Sequence, residues 1–115
     1  MLPNRIHLSK TASEQLKFLK ARTGITPNVL ARIALVRSIK EKFDYTLKEV
    51  SSDGLEFQMP TLLGEYSLLY EKLLVELHAI QEPHELARAL AAHIENGLSY
   101  IRNVRDLKDL LRQVS

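Results

Sequence analysis

Apolar and polar positions change their period several times along the chain, and each change marks an element. Asn4-Arg5-Ile6-His7-Leu8-Ser9 alternates at period two, which predicts one short strand with Ile6 and Leu8 toward a core and Arg5, His7 and Ser9 facing away. Thr11-Ala12-Ser13-Glu14 has the spacing of a capping box, and Ala12, Leu16 and Leu19 then share one helical face while Ser13, Lys17 and Lys20 turn elsewhere. Gly24 suits the left-handed end of that helix. Thr26-Pro27 starts a second helix, expected to run to about Phe43. Its apolar residues, from Val29 and Leu30 through Ile33, Leu35, Val36 and Ile39, go nearly all the way round, which predicts that another chain buries one face.

From Asp44 to Pro60 the helical period breaks around Ser52-Asp53-Gly54, a hairpin or extended loop. Beyond Thr61 it returns, with Leu62, Tyr66, Leu69, Tyr70, Leu73, Leu74, Leu77 and Ile80 as a stripe, an interruption at Pro83, and a further helix marked by Leu86, Leu90 and Ile94. Gly97 either ends or weakens that helix, and Asn103 can cap a last amphipathic segment carrying Leu107, Leu110 and Leu111. The chain therefore reads as mainly α, in one compact domain: a basic unit over 1–43, a hairpin or loop over 44–60 and a Leu-rich helical half over 61–115. The lone strand is expected to pair across a two-fold axis and give at least a dimer; packing on Leu55 to Phe57 of the same chain is the alternative.

Composition narrows the chemistry. With 115 residues, 45% hydrophobic and 26% charged, the chain is foldable but too short for a two-domain cofactor enzyme. Zero Cys removes disulfides, thiolate nucleophiles and cysteine zinc sites, and four scattered His offer little to a metal. No apolar run reaches membrane-spanning length and the start lacks the apolar core of a signal peptide, so a cytoplasmic protein without a membrane role is expected. No cofactor is called for. HExxH, GxSxG and phosphate-binding Gly loops are missing, Glu71 and Glu76 fall on different helix faces, His78 and His84 straddle Pro83, and His93 reads as a half-buried packing residue, so no enzymatic role is expected.

Charge changes the picture most. The net charge is only +2, yet residues 1–42 hold nine Lys or Arg against Glu14 and Glu41, a net +7, and the remainder carries −5. One end can attract a polyanion while the other meets solvent or a basic partner; an uneven but merely solvated surface is the plain alternative. Lys17 and Lys20 share a helix face and Lys10 stands at the junction of strand and helix, a cluster suited to phosphates. Arg105, Lys108 and Arg112 form a second basic face, read as the usual preference of cations for a helix end.

Strand, capped helix, Gly turn and second helix, from Arg5 to Lys40, resemble a ribbon-helix-helix unit. That resemblance implies a two-stranded ribbon in the DNA major groove, outward Arg5, His7 and Ser9 at base edges, and a phosphate at the amides of Thr26-Pro27-Asn28. More narrowly, Arg5-Ile6-His7-Leu8-Ser9-Lys10-Thr11, Leu30-Ala31-Arg32-Ile33-Ala34-Leu35, the Asp53-Gly54 segment and the Leu-rich half together are similar to the DndE family of bacterial DNA phosphorothioation proteins, over essentially the whole chain. This implies a DNA-binding accessory protein acting beside other Dnd modification proteins, self-association to a dimer or tetramer, and binding of duplex DNA including nicked DNA, with Arg5, His7, Lys10, Lys17 and Lys20 as the candidate contacts. A ribbon-helix-helix repressor and a protein-only scaffold for the modification enzymes are the competing functions.

Overall fold

The computed structural model describes residues 1–114, leaving the side chain of Val114 aside. The elements follow in the order β1 (Arg5–His7), α1 (Lys10–Thr23), α2 (Pro27–Lys40), a 3-10 turn (Tyr45–Leu47), β2 (Glu56–Gln58), α3 (Met59–Leu63), a second 3-10 turn (Gly64–Tyr66), α4 (Ser67–His78), α5 (Pro83–Ile101) and α6 (Leu107–Val114). The protein is mainly α with a ribbon-helix-helix-like start. Among the described residues no helix is long and apolar enough to cross a membrane.

The strand partner differs from the one expected. β1 pairs antiparallel with β2 of the same chain, setting Arg5 against Gln58, Ile6 against Phe57 and His7 against Glu56, so the ribbon is closed within one chain instead of across a two-fold axis. The cause is the loop between α2 and β2, which returns to the start: Leu8 N–H donates to the Leu55 carbonyl, Gly54 N–H to Leu8, and Met59 N–H to Asn4. Ile6, Leu8 and Phe57 thereby enter the core. The 44–60 stretch is thus a 3-10 turn and an extended loop leading into one strand, with no local hairpin.

Ser9 is buried and does not face outward. It is the N-cap of α1, its Oγ accepting from Ala12 N–H at 3.1 Å, and a second free amide, Lys10 N–H, is satisfied by Asp53 Oδ1 at 2.9 Å. The cap therefore comes two residues before Thr11, where Glu95 of α5 and Asp53 of the returning loop supply the carboxylates that accept from the Ser9 and Lys10 N–H groups. Gly24, at φ 77°, ends α1 in the left-handed conformation as its position predicts. α2 stops at Lys40, short of Phe43, where Lys42 turns to φ 54°. The third helical stretch begins at Met59 and is broken at Gly64 before α4 resumes. Asp106, not Asn103, supplies the side chain at the start of α6, accepting from Asp109 N–H at 2.8 Å.

Most of the core lies where α5 packs on α2. α5 buries Leu86, Ala89, Leu90, Ala91, Ala92, His93, Ile94, Gly97, Leu98 and Ile101. Gly97 neither ends nor weakens this helix; its missing side chain lets the Ala34 backbone of α2 come so close that a Cβ there would overlap the Ala34 carbonyl. Helix backbones in contact exclude water over a long seam, and small residues on both sides make that contact.

Candidate nucleic-acid interface

α1 buries Ala12, Ser13, Leu16, Leu19 and Thr23, and this inward stripe fixes which residues look outward. Lys10, Lys17 and Lys20 are all exposed on it. Lys17 and Lys20 form no ion pair among the described residues, so their charges are available to an anion. Lys10 sits beside Asp53, whose carboxyl is held below the usual carboxylate range by the Lys10 N–H bond first and the Ser51 hydroxyl second. At low ionic strength and neutral pH that carboxylate offsets part of the Lys10 charge.

Arg5 and His7 lie on the outer face of β1 as the alternation predicts, but neither stands alone. Arg5 Nε and His7 Nε2 both lie 3.4 Å from Glu56 Oε1 on the paired strand. A base contact by either would have to displace this carboxylate or accept its repulsion of the DNA backbone. The five expected residues therefore divide into a lysine set on α1 and a carboxylate-tied pair on the ribbon. At the start of α2, Thr26 occupies the N-cap position without a side-chain cap bond and Pro27 has no N–H to offer.

A single carboxylate, Asp109, offsets part of the second basic face. Arg105 Nε lies 3.6 Å from Asp109 and Arg112 Nη1 lies 3.9 Å from the same carboxylate. Only Arg112 occupies the last turn of α6; Arg105 precedes the helix and Lys108 stands in its first turn, so the helix-end explanation holds for Arg112 alone.

Two cations that the sequence reading passed over complete the α1 face. Arg22 and Arg102 line a shallow cleft with Gln15, Phe18 and Asn103, where the last turn of α5 meets the outer side of α1. Arg22 donates to the Val104 carbonyl at 3.4 Å and has no carboxylate partner among the described residues. The signal available in the sequence was Phe18, which falls out of phase with the buried Leu16 and Leu19.

Polar groups in the interior form a different kind of cluster. His93 is fully buried, not half-buried. Its Nδ1 lies 2.7 Å from Ser38 Oγ and its Nε2 lies 2.7 Å from His78 Nε2, while Asn96 Nδ2 donates to Ser38 Oγ at 3.0 Å. One hydrogen per link satisfies the chain if Asn96 donates to Ser38, Ser38 to His93 and His93 to His78, with both imidazoles neutral. Burial first, and the neighbouring His78 second, push the His93 pKa down to about 4. Burial likewise lowers His78, partly countered by Asp44. Phe43 packs edge-on against His93 and Tyr45 against His78. With its hydrogen bonds filled and Ser38 and His93 closed off from solvent at its centre, this network joins α2, α4 and α5. Among the described residues no three His, Cys, Asp or Glu side chains gather as a metal site.

The comparisons with known proteins agree with one another. Residues 5–109 match the family described as DNA sulphur modification protein DndE. The crystal structure of DndE from Escherichia coli B7A, described as involved in DNA phosphorothioation modification, is 42% identical, with a TM-score of 0.81 over 90% of this chain and 99% of that chain. A DndE mutant structure, also described as involved in DNA phosphorothioation, is 39% identical, with a TM-score of 0.76 over 86% of this chain and 97% of that chain. No curated protein sequence matches. A family match spanning both strands, the loop between them and every helix up to the start of α6, with structures of the same shape, leaves one reading: the chain belongs to the DndE family.

Proposed function

We propose that the protein is a DNA-binding accessory component of a DNA phosphorothioation system, holding duplex DNA, nicked duplex included, through its phosphates while other Dnd proteins carry out the sulfur chemistry. The observation that carries this reading is the exposed, unpaired pair Lys17 and Lys20 on the outer face of α1, beside Lys10 and within a segment of net +7, in a chain of the DndE family. Phosphate contacts give affinity without sequence choice, which suits a protein serving a backbone modification. The tie of Arg5 and His7 to Glu56 weighs against a sequence-reading repressor, whose outward ribbon residues must be free to meet base edges.

Gel-shift titrations over intact, nicked and single-stranded oligonucleotides at several salt concentrations test the proposal. Duplex affinity is expected to fall with salt by a slope of about −0.9 per phosphate met. Changing Lys10, Lys17 and Lys20 together to Ala should flatten that slope and weaken binding on every sequence about equally. A folded triple variant that keeps wild-type affinity and slope, while Arg105, Lys108 and Arg112 to Ala abolishes binding, places the contact on the wrong face. Strong preference for one palindrome favours the repressor instead, and indifference to DNA at moderate salt favours the scaffold.

A further inference from the structure

Phe18 is the most exposed aromatic side chain among the described residues, at 63%, on a helix whose buried face is complete without it. A lone exposed apolar residue is ordinary and needs no function. Its surroundings are what set this one apart. Lys17 adjoins it, Arg22 follows it by one helical turn, and the cleft it borders, of about 240 Å³, is otherwise lined by Gln15, Arg22, Arg102 and Asn103. Neither Lys17 nor Arg102 is engaged in an ion pair among the described residues.

This lining selects an occupant. No second apolar side chain borders the cleft, so it lacks the apolar centre that a protein–protein contact packs around. It presents one aromatic face, two guanidinium groups and two side-chain amides. A planar ring can lie on Phe18, its polar edge can meet Gln15 or Asn103, which both donate and accept, and the flanking phosphates can meet Arg22 and Arg102. A ligand that combines a flat aromatic face, a hydrogen-bonding edge and an anionic backbone is a nucleotide whose base is not stacked in a duplex.

We propose that Phe18 is a stacking platform for an unpaired base of DNA lying along α1, with Arg22 and Arg102 holding the adjoining phosphates. The inference rests on the DNA-binding reading above and adds to it a preference for duplexes that carry an unpaired nucleotide. Stacking on an aromatic side chain is sequence-tolerant, so the preference is for exposure of a base and not for its identity.

The test uses the full chain and two duplexes of one sequence, fully paired or carrying a single unpaired 2-aminopurine, whose fluorescence is quenched on stacking. Wild-type protein is expected to quench the unpaired probe. Phe18→Ala should abolish the quenching and weaken binding to that duplex roughly 5- to 100-fold, with the fully paired duplex bound as before. Phe18→Trp should restore both signals. Because Phe18 is exposed, circular dichroism should show each variant folded. If Phe18→Ala binds both duplexes as wild type does, or loses both equally, the platform is refuted while DNA binding stands. If the wild-type chain binds neither duplex, the DNA reading itself falls and the platform with it.

Discussion

Two imidazoles facing each other at 2.7 Å can share only one hydrogen, so the interior of this protein has a protonation state built into it. One added proton can still be shared between the rings, but it would place a charge on or beside the fully buried His93, and charging both rings would set two N–H groups against each other. The folded state therefore keeps His93 neutral down to a pH of about 4, whereas the unfolded chain protonates it near 6.5. Stability from this group is full above pH 6.5, falls as the pH drops from 6.5 to about 4 because the unfolded state binds the extra proton, and is flat below. Urea denaturation between pH 7.5 and 4.5 should show a decline approaching 1.4 kcal/mol per pH unit from this group. His93→Asn should cost about 1–3 kcal/mol at pH 7.5, since it breaks a chain of buried hydrogen bonds, and should lessen the decline. An unchanged pH profile in that variant would assign the acid sensitivity to other groups.

A carboxylate on α5 helps fasten the end of the ribbon to the helices. Glu95, half-buried on α5, accepts from Ser9 Oγ at 2.8 Å and from Ser9 N–H at 3.2 Å, while the same Ser9 hydroxyl caps α1. Glu95→Ala should destabilise the protein by about 1–3 kcal/mol, and Ser9→Ala by about 1 kcal/mol for the cap alone. The double variant should lose less than the two costs combined, because both substitutions remove the bond from Ser9 Oγ to Glu95. Strict additivity in a denaturation cycle would show that Glu95 and Ser9 act independently.

This junction also shows why some elements could be read from the sequence and others could not. Ile6 and Leu8, Gly24 and Pro27 announce strand, turn and helix start because local backbone preference and side-chain period determine them. The partner of β1 could be read only as the second alternative, Leu55 to Phe57, since Glu56-Phe57-Gln58 is too short to show a period, and the capping of Lys10 N–H depends on Asp53, 43 residues away. Gly97 looks like a terminator in the sequence and proves to be a contact point, because the reason for it stands on another helix at Ala34. For the candidate interface, the exposure of Lys10, Lys17 and Lys20 followed from the helical period. The carboxylate facing Arg5 and His7, and the approach of Arg102 to Phe18, depend on tertiary structure alone.

Taken as one body, the protein has an uncovered apolar side. Val29 and Val36 of α2 are exposed, Ile33 is half-buried, and with Tyr66 and Tyr70 they line a groove of about 350 Å³. Leu68, Leu69 and Leu73, also exposed, continue this apolar character along α4. The nearly all-round apolar pattern of α2 is thus only partly satisfied by α5, and we propose that a second copy of the chain covers the remainder, giving a dimer or tetramer. Light scattering at micromolar concentration should show a mass above 13.1 kDa. Val36→Glu, at an exposed position, should shift that mass toward the monomer without loss of helical content. A wild-type chain that is already monomeric would rule out the groove as a self-association surface.

The closure of the ribbon within one chain has a consequence for how the protein is made. Ile6 meets Phe57, so the first strand leaves the ribosome about fifty residues before its partner does. Until then Ile6 and Leu8 have no sheet to join, and the Asp53 and Glu95 carboxylates that seat the first turn of α1 do not yet exist. A nascent chain released after residue 43 is therefore expected to carry at most fraying helices, although its sequence contains every element of the ribbon-helix-helix pattern. The exposed lysines of α1 are translated early, but the surface that displays them is assembled only when nearly the whole chain has been synthesised.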